Sequence, residues 1–243
     1  MLLSRRRLLV AGAGAAPVAW LSVWPGATAW ARTQVTPAPS PAVPTTYAFL
    51  APAEVAFVDA AVARLIPTDV LGPGAAEAGV TVFIDRQLAG PFGRAADWYM
   101  AGPWADGTEQ QGYQSQRTPA ALYRAAIAAI DAHCRRSFGD RAFAALGADD
   151  QDGLLRQLEH DRVKLQGVSG KLFFDMLWHN TKEGYFADPL YEGNRGFAGW
   201  KLVGFPGPRY NYIDYIRHYG QPYPLPTVGL MGRDPTRHPR VPA

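Results

Sequence analysis

Apolar residues recur at helical spacing through the middle of the chain, and turn residues punctuate the stripes. After Pro52, the residues Val55, Val58, Val62, Leu65 and Ile66 line one face until Pro67 ends the pattern, which predicts a first helix. Val80, Phe83, Ile84 and Leu88 form a second amphipathic stripe after the turn Gly72 to Gly74. Thr118-Pro119 is an N-cap followed by a proline at the first helical position. Beyond it Leu122, Ala126, Ile130, Cys134 and Phe138 repeat every four residues, with Gly139 as the C-terminal stop. Asp152 to His160 is predicted helical through Leu154, Leu155 and Leu158. Ser169 caps a further helix whose core face is Leu172, Phe173, Met176 and Leu177. No stretch alternates with the period of a half-buried strand, so the core is expected to be helical.

Two regions break this periodicity. Residues 90–117 carry Phe92, Trp98, Tyr99, Trp104 and Tyr113 among glycines, and five large aromatics predict an anchored loop. From Lys171 to Tyr223 there are 14 of the chain's 29 aromatics. From Pro206 onward eight prolines in 38 residues exclude regular helix and central strand. The expected fold class is therefore mainly α. It comprises a compact helical domain over residues 47–230 with long Gly/Pro/aromatic loops, and an extended Pro-rich C-terminal tail over 231–243.

The N-terminus has the order of an export signal. Ser4-Arg5-Arg6-Arg7 precedes an uncharged run to Ala31, and Ala27-Thr28-Ala29 or Ala29-Trp30-Ala31 supplies a small-residue cleavage site. The paired Arg5 and Arg6 predict a twin-arginine leader over residues 1–31; the alternative is a short membrane anchor. Residues 32–46, with Pro37, Pro39, Pro41 and Pro44, follow as an extended linker. The leader carries three arginines and no acid, so the remaining chain balances 21 basic against 21 acidic side chains. That neutrality removes the electrostatic case for a nucleic-acid partner. A twin-arginine leader exports folded proteins, commonly ones with a cofactor, which makes the rest of the chain's chemistry the question.

The candidate chemistry is sparse. One cysteine, Cys134, excludes an intrachain disulfide, an all-thiolate iron–sulfur site and covalent haem through C-x-x-C-H. Its place on an apolar stripe predicts a buried, inert thiol. Gly12-Ala13-Gly14 lies in the leader, and Gly72-Pro73-Gly74 lacks the third glycine and the βαβ context of a dinucleotide site. His179 and Glu183, four residues apart, supply two ligands where zinc sites need three or four, and His160 and Asp161 would complete the set only by a coincidence of the fold. No G-x-S-x-G elbow supports serine hydrolysis. Asp188-Pro189 and Asn194-Arg195-Gly196 are turn chemistry. The aromatic and polar mixture around them fits a protein interface, with Tyr185, Tyr191, Asn194, Arg195, Trp200, Tyr210, Tyr212, Tyr215, Tyr219 and Tyr223 as its candidates. The residues predict an exported, helical, non-catalytic partner protein; the alternative is an independent enzyme or metal-binding protein using His179 and Glu183.

The run His179-Asn180-Thr181-Lys182-Glu183-Gly184-Tyr185-Phe186-Ala187-Asp188-Pro189, then Tyr191-Glu192-Gly193-Asn194-Arg195 and Trp200 to Gly207, resembles the signature of gluconate 2-dehydrogenase subunit 3. Upstream blocks that share the resemblance include Arg64 to Asp69, Gly72 to Ala75, Phe83-Ile84-Asp85, Gly90 to Gly93 and Gly112 to Ser115. The resemblance covers residues 47–230. It implies the small (gamma) subunit of a periplasmic, acceptor-linked sugar or sugar-acid dehydrogenase, with no cofactor and no catalytic residue of its own. It implies two companions: a catalytic subunit of the glucose–methanol–choline type that carries FAD, and a multihaem cytochrome c subunit that anchors the complex at the inner membrane. The small subunit's leader would then escort the folded flavoprotein across the membrane.

Overall fold

The computed structural model describes residues 46–105 and 107–231. The leader with Arg5 and Arg6, the linker before Thr46 and the tail beyond Met231 lie outside the described residues. Among the described residues there are six α-helices and no strand: α1 (Pro52–Leu65), α2 (Val80–Ala89), α3 (Pro119–Ser137), α4 (Ala148–Glu159), α5 (Gly170–Phe186) and α6 (Ala198–Val203). Helix α1 packs against α2 to α5, and α5 packs against every other helix.

The caps follow the local chemistry. Pro52 opens α1, and the Glu54 carboxylate accepts the Ala51 N–H at 2.8 Å. Thr118 Oγ1 accepts from Ala121 at the start of α3, and Ser169 Oγ accepts from Leu172 at the start of α5. Helix α4 begins at Ala148, four residues before the expected Asp152. Its first turn is polar, with Asp149 and Asp150 favoured by the helix dipole, so the apolar pattern started late. On α5 the expected core face shifts: Phe173, Phe174, Leu177 and Tyr185 are buried, while Leu172 and Met176 are half-buried.

The core is aromatic at its centre. Phe57 on α1 lies 4.7 Å from the Phe143 ring and 6.0 Å from Phe173, and Tyr123 on α3 meets Phe173 edge-on at 5.2 Å. The buried Tyr123 hydroxyl accepts a 3.0 Å hydrogen bond from Asn180. Burial pushes the Tyr123 phenol far above its ordinary pKa, so it stays neutral. Phe143 sits in a short connecting turn rather than a helix face. Its N–H donates to Asp131 Oδ1 at 2.9 Å, and its carbonyl accepts from Gln151 at 3.1 Å. Arg64 and Asp152 form a two-pronged pair at 2.7 and 2.8 Å that ties α1 to α4.

The chain enters the domain through one buried carboxylate. Asp85 on α2 is wholly buried and accepts the N–H groups of Ala48, Phe49 and Leu50 at 2.7, 2.9 and 2.8 Å. The next residue extends the clamp: Arg86 reaches Asp85 Oδ2 at 3.0 Å, Glu192 at 2.7 Å and the Thr46 carbonyl at 2.8 Å. Arg124 of α3 lies over the Phe49 ring at 4.3 Å and donates to its carbonyl. Asp85→Ala leaves three backbone donors without their acceptor and is expected to lower stability by about 3 kcal/mol. Urea titration checks this, and amide exchange should show protection lost at Ala48 to Leu50 while the α3 amides keep theirs.

Candidate partner interface

The C-terminal half of the domain is built by close backbone approach at the end of α5. A Cβ on Gly193 would stand 2.2 Å from the Gly184 carbonyl oxygen, and one on Gly199 would stand 2.1 Å from that of Tyr185. Only glycine permits these approaches. Between them Asn194 and Phe197 both take left-handed backbone conformations, at φ 49° and 59°. The wholly buried Asn194 side chain holds this turn, donating to the Ala187 carbonyl at 2.8 Å and accepting the Gly199 N–H at 2.8 Å. Trp200 stacks 5.4 Å from Phe197 and donates its indole N–H to the Phe186 carbonyl at 2.7 Å. Tyr185 is buried and donates to the Pro73 carbonyl at 2.7 Å.

This geometry divides the predicted interface residues. Tyr185, Asn194 and Trp200 are consumed by the domain's own packing and expose no contact surface, because α5 ends in a turn that needs their hydrogen bonds. Tyr191 and Arg195 are exposed; the Arg195 side chain lies against Gly79, where a Cβ would meet its Nε at 2.5 Å. The other five tyrosines belong to a separate feature.

That feature is an arm from Gly207 to Val228, closed at its neck. Val228 N–H donates to the Pro206 carbonyl at 3.3 Å, and Gly207 packs so closely on the Val228 carbonyl that no Cβ fits. Below the neck Asp188 accepts two backbone N–H groups, from Leu190 at 2.9 Å and from Leu230 at 2.6 Å. Asp188 therefore makes the predicted turn and also captures the returning chain. Inside the arm Tyr223 meets Tyr215 at 4.7 Å and Tyr212 at 5.5 Å, with the Arg209 guanidinium 5.1 Å over its ring. Tyr212 donates to the Gly207 carbonyl and Arg209 to that of Pro226. The arm has no α-helix, only a single 3₁₀ turn at Ile213–Tyr215.

The arm's outer face is apolar and bare. Tyr210 is fully exposed, Tyr219 is 84% exposed, Ile213 68% and Ile216 60%. At the base, Leu190, Tyr191, Leu230 and Met231 are also exposed, beside the shared Asp188 carboxylate. Large exposed apolar side chains gathered on one short segment are a feature that interaction surfaces share. The arm holds Arg209 and Arg217 against Asp214, well short of the cluster of basic side chains that selects an anionic lipid surface.

The candidate chemical groups sit elsewhere. His179 Nε2 and Glu183 Oε1 pair at 3.1 Å on the exposed side of α5, 67% and 48% accessible. His160 instead contacts the Arg156 carbonyl at 2.8 Å. Among the described residues no three His, Cys, Asp or Glu side chains group closely enough to hold a metal ion. Cys134 is buried on α3, and burial pushes its thiol up to about 11, so the reactive thiolate is scarce at neutral pH. No described helix is long and apolar enough to cross a membrane.

The family model for gluconate 2-dehydrogenase subunit 3 matches residues 52–207, which runs from the first residue of α1 to the neck of the arm. The chain belongs to that family. Membership makes it a subunit of a membrane-associated dehydrogenase complex and implies partner subunits. No curated protein and no solved structure matches it. The family match holds Tyr191 and Arg195 together with the buried Tyr185, Asn194 and Trp200, and it stops where the arm with its five tyrosines begins.

The exposed His179–Glu183 pair gives a direct expectation. Replacing both with alanine should change stability by less than about 0.5 kcal/mol, the range for solvent-screened pairs. The assembled complex should keep its turnover, measured with an artificial electron acceptor.

Proposed function

We propose that this chain is the non-catalytic small subunit of a periplasmic, FAD-dependent gluconate or sugar dehydrogenase complex. It docks on the flavin-bearing subunit through the arm, stabilises it, and escorts it through twin-arginine export. The observation that carries the docking is the arm's outer face, where Tyr210, Ile213, Ile216 and Tyr219 stand in solvent on a segment braced from within by Tyr212, Tyr215 and Tyr223. Tyrosine suits such a face because its ring buries apolar area while its hydroxyl keeps a polar partner. A braced arm also loses little conformational entropy on binding. The escort rests on the Arg5-Arg6 leader, attached to a domain whose candidate chemical side chains are paired or buried. A cytochrome c subunit completes the proposed complex at the inner membrane.

Excising residues 208–227 tests the docking. The two sides of the neck already lie together, and the hydrophobic core is assembled from residues up to Trp200. The shortened domain should melt cooperatively and bind the flavoprotein at least roughly tenfold more weakly, about 1.4 kcal/mol. Unchanged binding would place the interface elsewhere.

The escort has its own test. Arg5→Lys with Arg6→Lys should hold this chain and its flavoprotein together in the cytoplasm, read by fractionation. A flavoprotein that still reaches the periplasm at normal level would contradict the escort.

A further inference from the structure

The loop between α2 and α3 carries a concave feature separate in sequence from the arm. Its two limbs, residues 98–105 and 111–114, enclose an open cleft of about 570 Å³. Trp98, Tyr99, Trp104 and Tyr113 line it, with Gln111 and Gln114 as its amide groups. The ring platform is anchored at one end: Phe92 meets Trp98 edge-on at 5.7 Å, and Trp98 meets Tyr113 at 5.0 Å. That stack anchors the loop as expected; Tyr99 and Trp104 are not part of it, and Tyr99 is 85% exposed.

The polar atoms are partly committed, and what remains open defines a ligand. Gln111 Oε1 accepts the Thr108 N–H at 2.6 Å, and Gln114 Nε2 donates to the Gln111 carbonyl at 2.8 Å. These bonds fix both amides and leave Gln111 Nε2 as a donor and Gln114 Oε1 as an acceptor. The indole N–H groups of Trp98 and Trp104 have no hydrogen-bond partner among the described residues. The described lining contains no charged side chain. Flat aromatic faces, fixed donors and a fixed acceptor together match a molecule with apolar C–H faces and a rim of hydroxyls, each hydroxyl both donor and acceptor.

We infer that this cleft binds a neutral sugar or polyol. The C–H face lies on the Trp98 and Trp104 rings, and the hydroxyls reach the two glutamines and the indole N–H groups. A sugar acid is disfavoured, because no described cation lines the cleft to receive its carboxylate. Gly107 belongs to the design: a Cβ there would stand 2.7 Å from Gln111 Oε1 and 3.0 Å from Gln114 Cδ, so any side chain displaces both amides.

Tryptophan fluorescence of the purified full chain, titrated with glucose, sorbitol and gluconate, tests the inference. Glucose or sorbitol should give a saturable change with a millimolar dissociation constant, and gluconate should bind at least roughly tenfold more weakly. Trp104→Ala should weaken binding at least roughly tenfold. Gly107→Ala should do the same while leaving every ring in place, and a cooperative melt of each variant shows that the fold persists. The inference is overturned by no saturable response to either neutral ligand up to about 100 mM. It is also overturned by a response unchanged in both variants, or by gluconate binding as tightly as glucose. Saturable binding of a proline decamer where glucose gives none would assign the cleft to peptide recognition and overturn it too.

Discussion

A buried carboxylate that accepts backbone N–H groups is the interaction on which this fold depends. Helices satisfy their own backbone, but half of this domain is loop, and loop N–H groups must find acceptors before they can be buried. Asp85 receives three consecutive N–H groups where the chain enters the domain. Asp131 receives Phe143, which places that ring against Phe57 in the core. Asp188 receives Leu190 and Leu230, where the chain turns at the end of α5 and returns from the arm. Each bond joins an aspartate side-chain oxygen to a backbone N–H, and each fixes a segment with no periodic pattern of its own.

The helices were legible because they bury one face. Pro52, Thr118-Pro119 and Ser169 announced their starts through known capping chemistry, and the apolar stripes gave the rest. The early start of α4 was hidden because its first turn faces solvent. The orientation of the C-terminal aromatic side chains was only partly legible. Aromatic enrichment pointed to the C-terminal third, yet composition does not say which way a ring faces. Tyr185 and Trp200 turn inward because carbonyls at Pro73 and Phe186 accept their polar tips. Tyr210 and Tyr219 turn outward on the arm. The long-range aspartate bonds were not legible, since their partners lie 35 to 42 residues away for Asp85 and for the Asp188–Leu230 bond. An isolated aspartate within an apolar stripe, as at Phe83-Ile84-Asp85, is the one signal that was available.

The family signature gains a physical reading from this. Gly184, Gly193 and Gly199 are where two stretches of backbone touch and Asn194 ties them together, so the motif specifies this turn. The turn aims the chain into the neck of the arm, with Phe205 packed on Trp200 just before it. A small helical core, three aspartate anchors and one stitched turn together hold up an apolar face that the domain itself leaves uncovered. The domain's own fold is thus closed while this face stays exposed.

The most direct measurement is hydroxyl-radical footprinting of the full chain, alone and in the assembled complex. The account predicts that Tyr210, Ile213, Ile216 and Tyr219 react readily in the free subunit and are strongly protected in the complex, while Tyr185 is unreactive in both. Equal reactivity of those four residues in the two states, with protection confined to another surface, would contradict it.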